Sequence, residues 1–365
     1  MKKTFFALTI LTTLMASASA QTSVALYGTL DAGVTYASTG NTPPVNVGQN
    51  KWSLDSGIDQ PSVIGVKGME DFGGSLKAIF QLEAGVQINS GSSTNNSSLF
   101  NRASWVGLTG DFGTVTAGRQ FTPLYDALKT LDPFELGLAG TATNLMSIGG
   151  ANFINGVAIG GNNVSNGGGV VGQNNSMRYA SQTVSGWSME FNYSFGEIAG
   201  SIQNGRQMGT TINYTHGPLA ALLSYDVANA INNRNTFHTT LLGAVMDWSE
   251  LGLPLKSSLG YAMNRGSDVT AIADVDSSDL LLGLRYPLGA HELLASYLHK
   301  NDHTSANLDA QQFALGYTYA LSKRTSFYTS IAALKNKNGA DYRVGNASNP
   351  GYGVNVFDLG LRHRF

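Results

Sequence analysis

The sequence predicts an all-β fold, a 16-stranded antiparallel transmembrane β-barrel. Three observations predict it. Apolar residues recur with period 2 along many segments of about 8 to 12 residues. The connections between those segments alternate between tight turns and long polar loops. Beyond the first 20 residues, no apolar run is long enough to cross a bilayer as a helix. In hydrocarbon only helices and closed barrels satisfy every backbone N–H and C=O. If this chain lies in a membrane, it is a barrel.

The chain opens on a secretion signal. Lys2 and Lys3 supply its positive start, Phe5 to Met15 a short apolar stretch, and Ala18-Ser19-Ala20 an A-x-A cleavage site. Residues 1–20 are therefore expected to be removed, leaving residues 21–365 as one barrel that starts at Gln21. No linker, composition break or charge block divides that stretch. There are no cysteines, so a closed ladder rather than disulfides must hold it, and a thiol enzyme or a Cys-based zinc site gains no support. Net charge is −2, and losing Lys2 and Lys3 takes it to about −4, which gives no basis for a nucleic-acid partner. The 44 glycines and 15 tyrosines suit short strands, tight turns and polar loops.

The strands can be followed along the chain. Val24, Leu26, Leu30 and Val34 share one face, opposite Tyr27, Thr29, Asp31 and Thr35. Leu76, Ala78, Phe80 and Leu82 repeat the pattern, as do Trp187, Met189, Phe191 and Tyr193. Leu219 to Tyr225, Leu255 to Met263, Leu280 to Tyr286, Phe313 to Tyr319 and Phe357 to Phe365 follow. Aromatic residues near the ends suggest interfacial girdles. Short turns are expected at Glu70–Gly74, Thr109–Gly113, His216–Pro218 and Leu321–Arg324. Long loops are expected at 38–60, 88–100, 122–174, 226–236, 264–278, 299–310 and 335–354. Period alone does not separate a barrel from a soluble sandwich. A count of about sixteen strands does, because an even barrel of that size leaves a wet lumen. The first and last strands should pair and remove both edges.

Several segments resemble the Gram-negative general porin family, in its neisserial and burkholderial branch. They are Val24 to Gly33, Gly65 to Glu83, Asn101 to Leu108, Ala117 to Asp126, Asn175 to Tyr179, Gly316 to Thr325 and Gly360 to Phe365. They lie in the family's order across nearly the whole mature chain. The resemblance implies an outer-membrane channel of a Gram-negative bacterium for passive diffusion of ions and small hydrophilic solutes. It implies a homotrimer in outer-membrane lipid, with one pore per subunit and a constricting third loop folded into each barrel. It also implies that the terminal Phe365 is read by the barrel-assembly machinery. One departure is Val63, where the family commonly places an Arg, and by parity with Lys67 it should face the lumen. That puts strong anion selectivity in doubt. The Gly/Asn-rich stretch from Gly149 to Gly172 is long for its position.

A channel of this kind sieves and applies a local field. The candidate basic side of the constriction is Arg102 and Arg178, with Lys67 and Lys77 as weaker members. The candidate acidic side lies on the third loop, at Asp126, Asp132 and Glu135, with Pro123 and Pro133 stiffening it. The opposing reading is that charges on a wetted interior merely pair across strands, and that Asp126 only caps a helix or turn. His299 and His303 are spaced i, i+4 but have no third ligand, so neither metal nor cofactor is expected. No GxSxG or HExxH occurs, and His216, His291 and His363 form no cluster, which leaves an outer-membrane enzyme unsupported. A substrate-specific channel and an adhesin are the other rivals.

Overall fold

Side chains that alternate between lipid and water suit an extended backbone, whose successive residues point to opposite faces. A computed structural model describes residues 23–38, 50–95, 98–146, 152–154, 157–159, 172–229, 236–267, 275–345 and 353–365. The expected signal, residues 1–20, and its junction at Gln21 lie outside the described residues. The first strands are β1 (Ser23–Ser38), β2 (Asn50–Ser56), β3 (Val63–Asp71), β4 (Lys77–Gln87) and β5 (Ser92–Ser93). Next come β6 (Ala103–Gly110), β7 (Gly113–Phe121), helix α1 (Pro123–Leu131), β8 (Asn152–Ile154) and β9 (Val157–Ile159). The chain continues through β10 (Gly172–Ala180), β11 (Trp187–Ser194), β12 (Gln207–His216), β13 (Leu219–Asn229), β14 (Thr236–Asp247) and β15 (Lys256–Ser267). It ends with β16 (Val275–Leu288), β17 (His291–Asp302), β18 (Ala310–Ala320), β19 (Thr325–Asn336) and β20 (Asn355–Arg364).

These strands close an antiparallel barrel of 16. β5 is a flap on β4, and β8 with β9 is a separate hairpin. β2 and β3 share one place in the wall. The first pairs with Ala32–Ser38 of β1 and the second with Ser23–Thr29. The other edge of β1 pairs with β20, from Thr29↔Arg364 to Ser38↔Asn355. Gly28 and Phe365 then exchange two backbone hydrogen bonds of 3.1 Å, so the ends meet and no sheet edge is left open there.

The two faces are inverted relative to a soluble protein. Outward Leu26, Leu242, Phe313 and Leu315 are 58–66 % exposed, while inward Asp31, Ser224, Asn264, Asp279 and Asp358 are buried. A soluble sandwich would have the reverse. Aromatic pairs such as Tyr36–Trp52 and Trp187–Tyr214, with ring centroids 4.7 and 4.6 Å apart, lie near strand ends. The four expected tight turns fall between β3 and β4, β6 and β7, β12 and β13, and β18 and β19.

Two expectations change. The stretch 38–60 is not all loop, because β2 occupies Asn50–Ser56. Only Trp52 and Leu54 mark its outer face, too few for a visible period among polar neighbours. The interior is not uniformly polar or small either. Leu222, Leu241, Leu281, Leu294 and Leu298 are inward and buried, because the third loop lies on them.

Phe365 and Gly28 fit each other. A Cβ on Gly28 would sit 2.3 Å from Phe365 Cζ and 2.7 Å from the Val63 carbonyl oxygen. A Gly28→Val variant should therefore misfit at the closing seam by about 1–3 kcal/mol. The fraction of heat-modifiable, folded barrel on cold gels is expected to fall, and an unchanged fraction would show that the ring has room to move.

Candidate pore constriction

The third loop leaves β7 and turns into the barrel at once. Thr122 caps α1, its Oγ1 accepting from the Tyr125 N–H at 3.0 Å, and Pro123 opens the helix. The apolar face of α1, Leu124, Leu128 and Leu131, is buried, and the helix lies against β11 to β15. Two wall glycines make the seat. A Cβ on Gly243 would meet Leu131 Cδ1 at 2.2 Å, and one on Gly283 would meet Pro133 Cδ at 2.7 Å. A small apolar core therefore forms inside the barrel between loop and wall.

Polar bonds fix the rest of the loop. Asp132, 2 % exposed, accepts from the N–H groups of Phe134, Leu136 and Ala142 at 3.0, 3.0 and 2.8 Å. Burial pushes its carboxyl up to about 6 even against those three donors. The Ala139 N–H donates to Asp358 Oδ2 at 2.9 Å, and the Leu138 N–H to the Ile58 carbonyl at 2.6 Å. Asn144 donates to Gln312 Oε1 at 2.7 Å. Glu135, Leu136 and Leu138 have φ of 52°, 65° and 54°, a left-handed conformation that non-glycine residues adopt at a cost. The anchors on both sides hold it.

Two wall arginines and two loop acids are brought together, Arg178 with Asp126 and Arg285 with Glu135. Arg178 on β10 pairs with Asp126 of α1 at 2.6 Å and with Glu190 of β11, and it donates to the Phe121 carbonyl at 3.2 Å. Arg102 lies in a bend ahead of β6 rather than on a strand. It pairs with Glu83 at 2.7 Å, and its guanidinium lies 5.5 Å from the centre of the Phe121 ring. Tyr27 donates to the same Glu83 at 2.8 Å. Glu135 reaches across the loop to Arg285 of β16 at 2.5 Å, and Arg285 also grips Glu292 of β17 with two bonds of 3.0 and 2.9 Å. Burial pushes the Glu135 carboxyl up, but the bond to Arg285 and the charges of Arg285, Lys129 and Arg362 outweigh it and hold the group below its usual range.

The remaining candidates are placed elsewhere. Asp132 is turned into the loop as its brace. Lys67 is exposed on β3, 5.3 Å from the centre of the Tyr27 ring. Lys77 pairs with Asp71 at 3.5 Å beside the short turn after β3. Val63 is buried and inward. His299 stacks on Tyr297, whereas His303 bonds to Ser278 and Asp276. Arg285, Glu292 and the pair Arg362–Asp59 are further interior charges that local sequence reading does not single out. Parity alone could have placed Arg285 inward, since it alternates with Leu282 and Leu284. Its partner Glu135 lies 150 residues away, and no local signal links them.

The described geometry is a water-facing barrel narrowed by an inward loop with charged walls. It matches known proteins throughout. The family described as Gram-negative porin matches residues 7–339. An outer membrane porin protein of Bordetella pertussis is 28 % identical, with all of both chains covered. Outer membrane porin protein 32 of Delftia acidovorans is 30 % identical, covering 93 % of this chain and 91 % of its own. A solved structure, described as an anion-selective porin from Comamonas acidovorans, superposes with a TM-score of 0.76 at 28 % identity, covering 94 % of this chain and 100 % of its own. The barrel, the inward loop and these similarities agree: the chain belongs to the Gram-negative porin family and is an outer-membrane channel, not an enzyme.

Proposed function

We propose that this porin is a general diffusion channel, for ions and small hydrophilic solutes, with weak ion preference. The carrying observation is that the interior acids and arginines bond to one another. Arg178 with Asp126 and Glu190, and Arg285 with Glu135 and Glu292, each form a closed cluster carrying one surplus negative charge. Exposed Lys67, half-buried Lys129 and the guanidinium of Arg364, bonded only to neutral Gln60 among the described residues, offset that surplus. Such a wall orients passing dipoles without holding one ion. The Comamonas neighbour is described as anion-selective. Here Val63 adds an apolar interior residue at a place the family commonly makes basic, which argues for a weaker preference.

In this reading Arg102, Arg178, Arg285, Asp126 and Glu135 form the constriction, Asp132 braces the loop, and Lys67 and Lys77 act nearer the short-turn mouth. The reading also includes removal of residues 1–20 on export, a homotrimer, and recognition of Phe365 by the assembly machinery before it seats on Gly28. In planar bilayers the protein should give stepwise, roughly ohmic currents, and saturable uptake of one solute would favour a substrate-specific channel instead.

Two variants test the assignment. Arg178→Gln leaves Asp126 and Glu190 without their counter-charge. It should raise the cation-to-anion permeability ratio by up to about fivefold, since a unit charge a few ångströms from an ion in water is worth ~1 kcal/mol. An unmoved reversal potential in a salt gradient would remove Arg178 from the constriction. Asp132→Asn keeps one acceptor oxygen and strands backbone N–H groups that cost about 1–3 kcal/mol each when unsatisfied. The loop should loosen, with larger conductance and more open-channel noise. Unchanged traces would assign its anchoring to the apolar seat alone.

A further inference from the structure

The outer wall is not a smooth lipid-facing surface. One cross-strand row runs from Ser257 on β15 through Ala295 and Leu315 to Phe357 on β20 and Tyr36 on β1. The adjacent row runs from Leu259 through Phe313 and Ala333 to Asn355. A groove of about 1130 Å³ lies along both. The small side chains of Ser257, Ala295 and Ala333 form its floor, between flanks such as Phe313 and Ile331, which are 59 % and 50 % exposed. Ser257 stands one residue inside the short-turn end of β15, and Tyr36 stands two residues from the long-loop end of β1. The groove therefore climbs the wall from one membrane face towards the other.

The next row on the long-loop side turns polar over β17, β18 and β19. His299, Gln311 and Lys335 are register neighbours on β17, β18 and β19. Lys335 is exposed and has no hydrogen-bond or ion partner among the described residues. The His299 ring is half-buried, with its Nδ1 shielded from the surface, so its remaining edge is what a headgroup meets. Tyr297, which lines the groove, donates to Gln311 Oε1 at 3.4 Å and so ties the apolar slot to the polar row. A cation, an imidazole and an amide thus stand beside an apolar slot, at the level where headgroups meet the barrel.

We propose that this groove binds a phosphate-bearing lipid of the outer leaflet, with an acyl chain between the two rows and the phosphate at Lys335, His299 and Gln311. Charge complementarity selects this occupant. A phosphate gives Lys335 its counter-charge, whereas the apolar belt of a second copy would bury that charge unpaired.

Native mass spectrometry of the purified protein tests this with two probes, dimyristoyl phosphatidic acid and its phosphate-free twin dimyristoylglycerol. The unaltered protein should retain phosphatidic acid more tightly than the diacylglycerol. Lys335→Gln should weaken phosphatidic acid binding about fivefold, the effect of one Lys near an anionic headgroup, and leave the diacylglycerol unchanged. Ala333→Phe fills the groove without touching the charge, and should reduce retention of both lipids while the barrel stays folded and the oligomer intact. The proposal is overturned if the unaltered protein does not distinguish the two lipids or if Lys335→Gln binds as before. It is also overturned if Ala333→Phe changes the oligomeric state and not lipid retention, since a second copy would then cover the groove.

Discussion

Every backbone N–H and C=O that enters hydrocarbon must find a partner within the protein, because lipid offers none. That constraint organises this molecule. It requires the sheet to close, and closure is why β1 pairs along one edge with both β2 and β3 and along the other with β20. It also explains why the final residue matters structurally. Phe365 completes the seam with two backbone bonds to Gly28, and its ring covers the side of Gly28 that has no side chain. Once the backbone is satisfied, side-chain polarity is free to invert, with leucines facing out and aspartates facing in.

Inversion creates the second problem, an interior without an apolar core. The third loop supplies one. Leu124, Leu128, Leu131 and Phe134 pack onto inward wall leucines, and glycines in the wall let the loop approach closely. Apolar contact is not directional, so it would hold the loop without fixing its shape. The directional part comes from Asp132, Asp358 and the Ile58 carbonyl, which take up backbone donors that would otherwise be buried and unpaired. Strained backbone at Glu135, Leu136 and Leu138 survives between these anchors, and it is what aims Glu135 at Arg285.

The charges then follow from where the loop is held. Asp126 and Glu135 leave the loop at different points and meet arginines on β10 and β16. Each arginine also bonds a carboxylate on the neighbouring strand. These contacts fix the guanidinium planes, so the wall presents oriented dipoles more than bare charge. Outside, the row of His299, Gln311 and Lys335 puts polar groups along one margin of a mostly apolar groove.

Much of this was legible in the chain. Alternation at Val24 to Tyr36 or at Phe357 to Phe365 fixes which residues share a face, because a period of 2 leaves each residue only two directions. Tight turns such as Glu70–Gly74 and the long third loop were equally plain, and Arg178 and Asp126 were marked as opposing charges. Other features needed the folded molecule. β2 carries too few apolar residues to show a period, and Asp132 looks like a pore acid until its three backbone donors are seen. Arg285 and Glu135 are 150 residues apart. Local alternation is written into each segment, since it depends only on neighbours along the chain. Which charge meets which depends on barrel closure and on how far the loop reaches inward, and those are settled only when distant strands come into register.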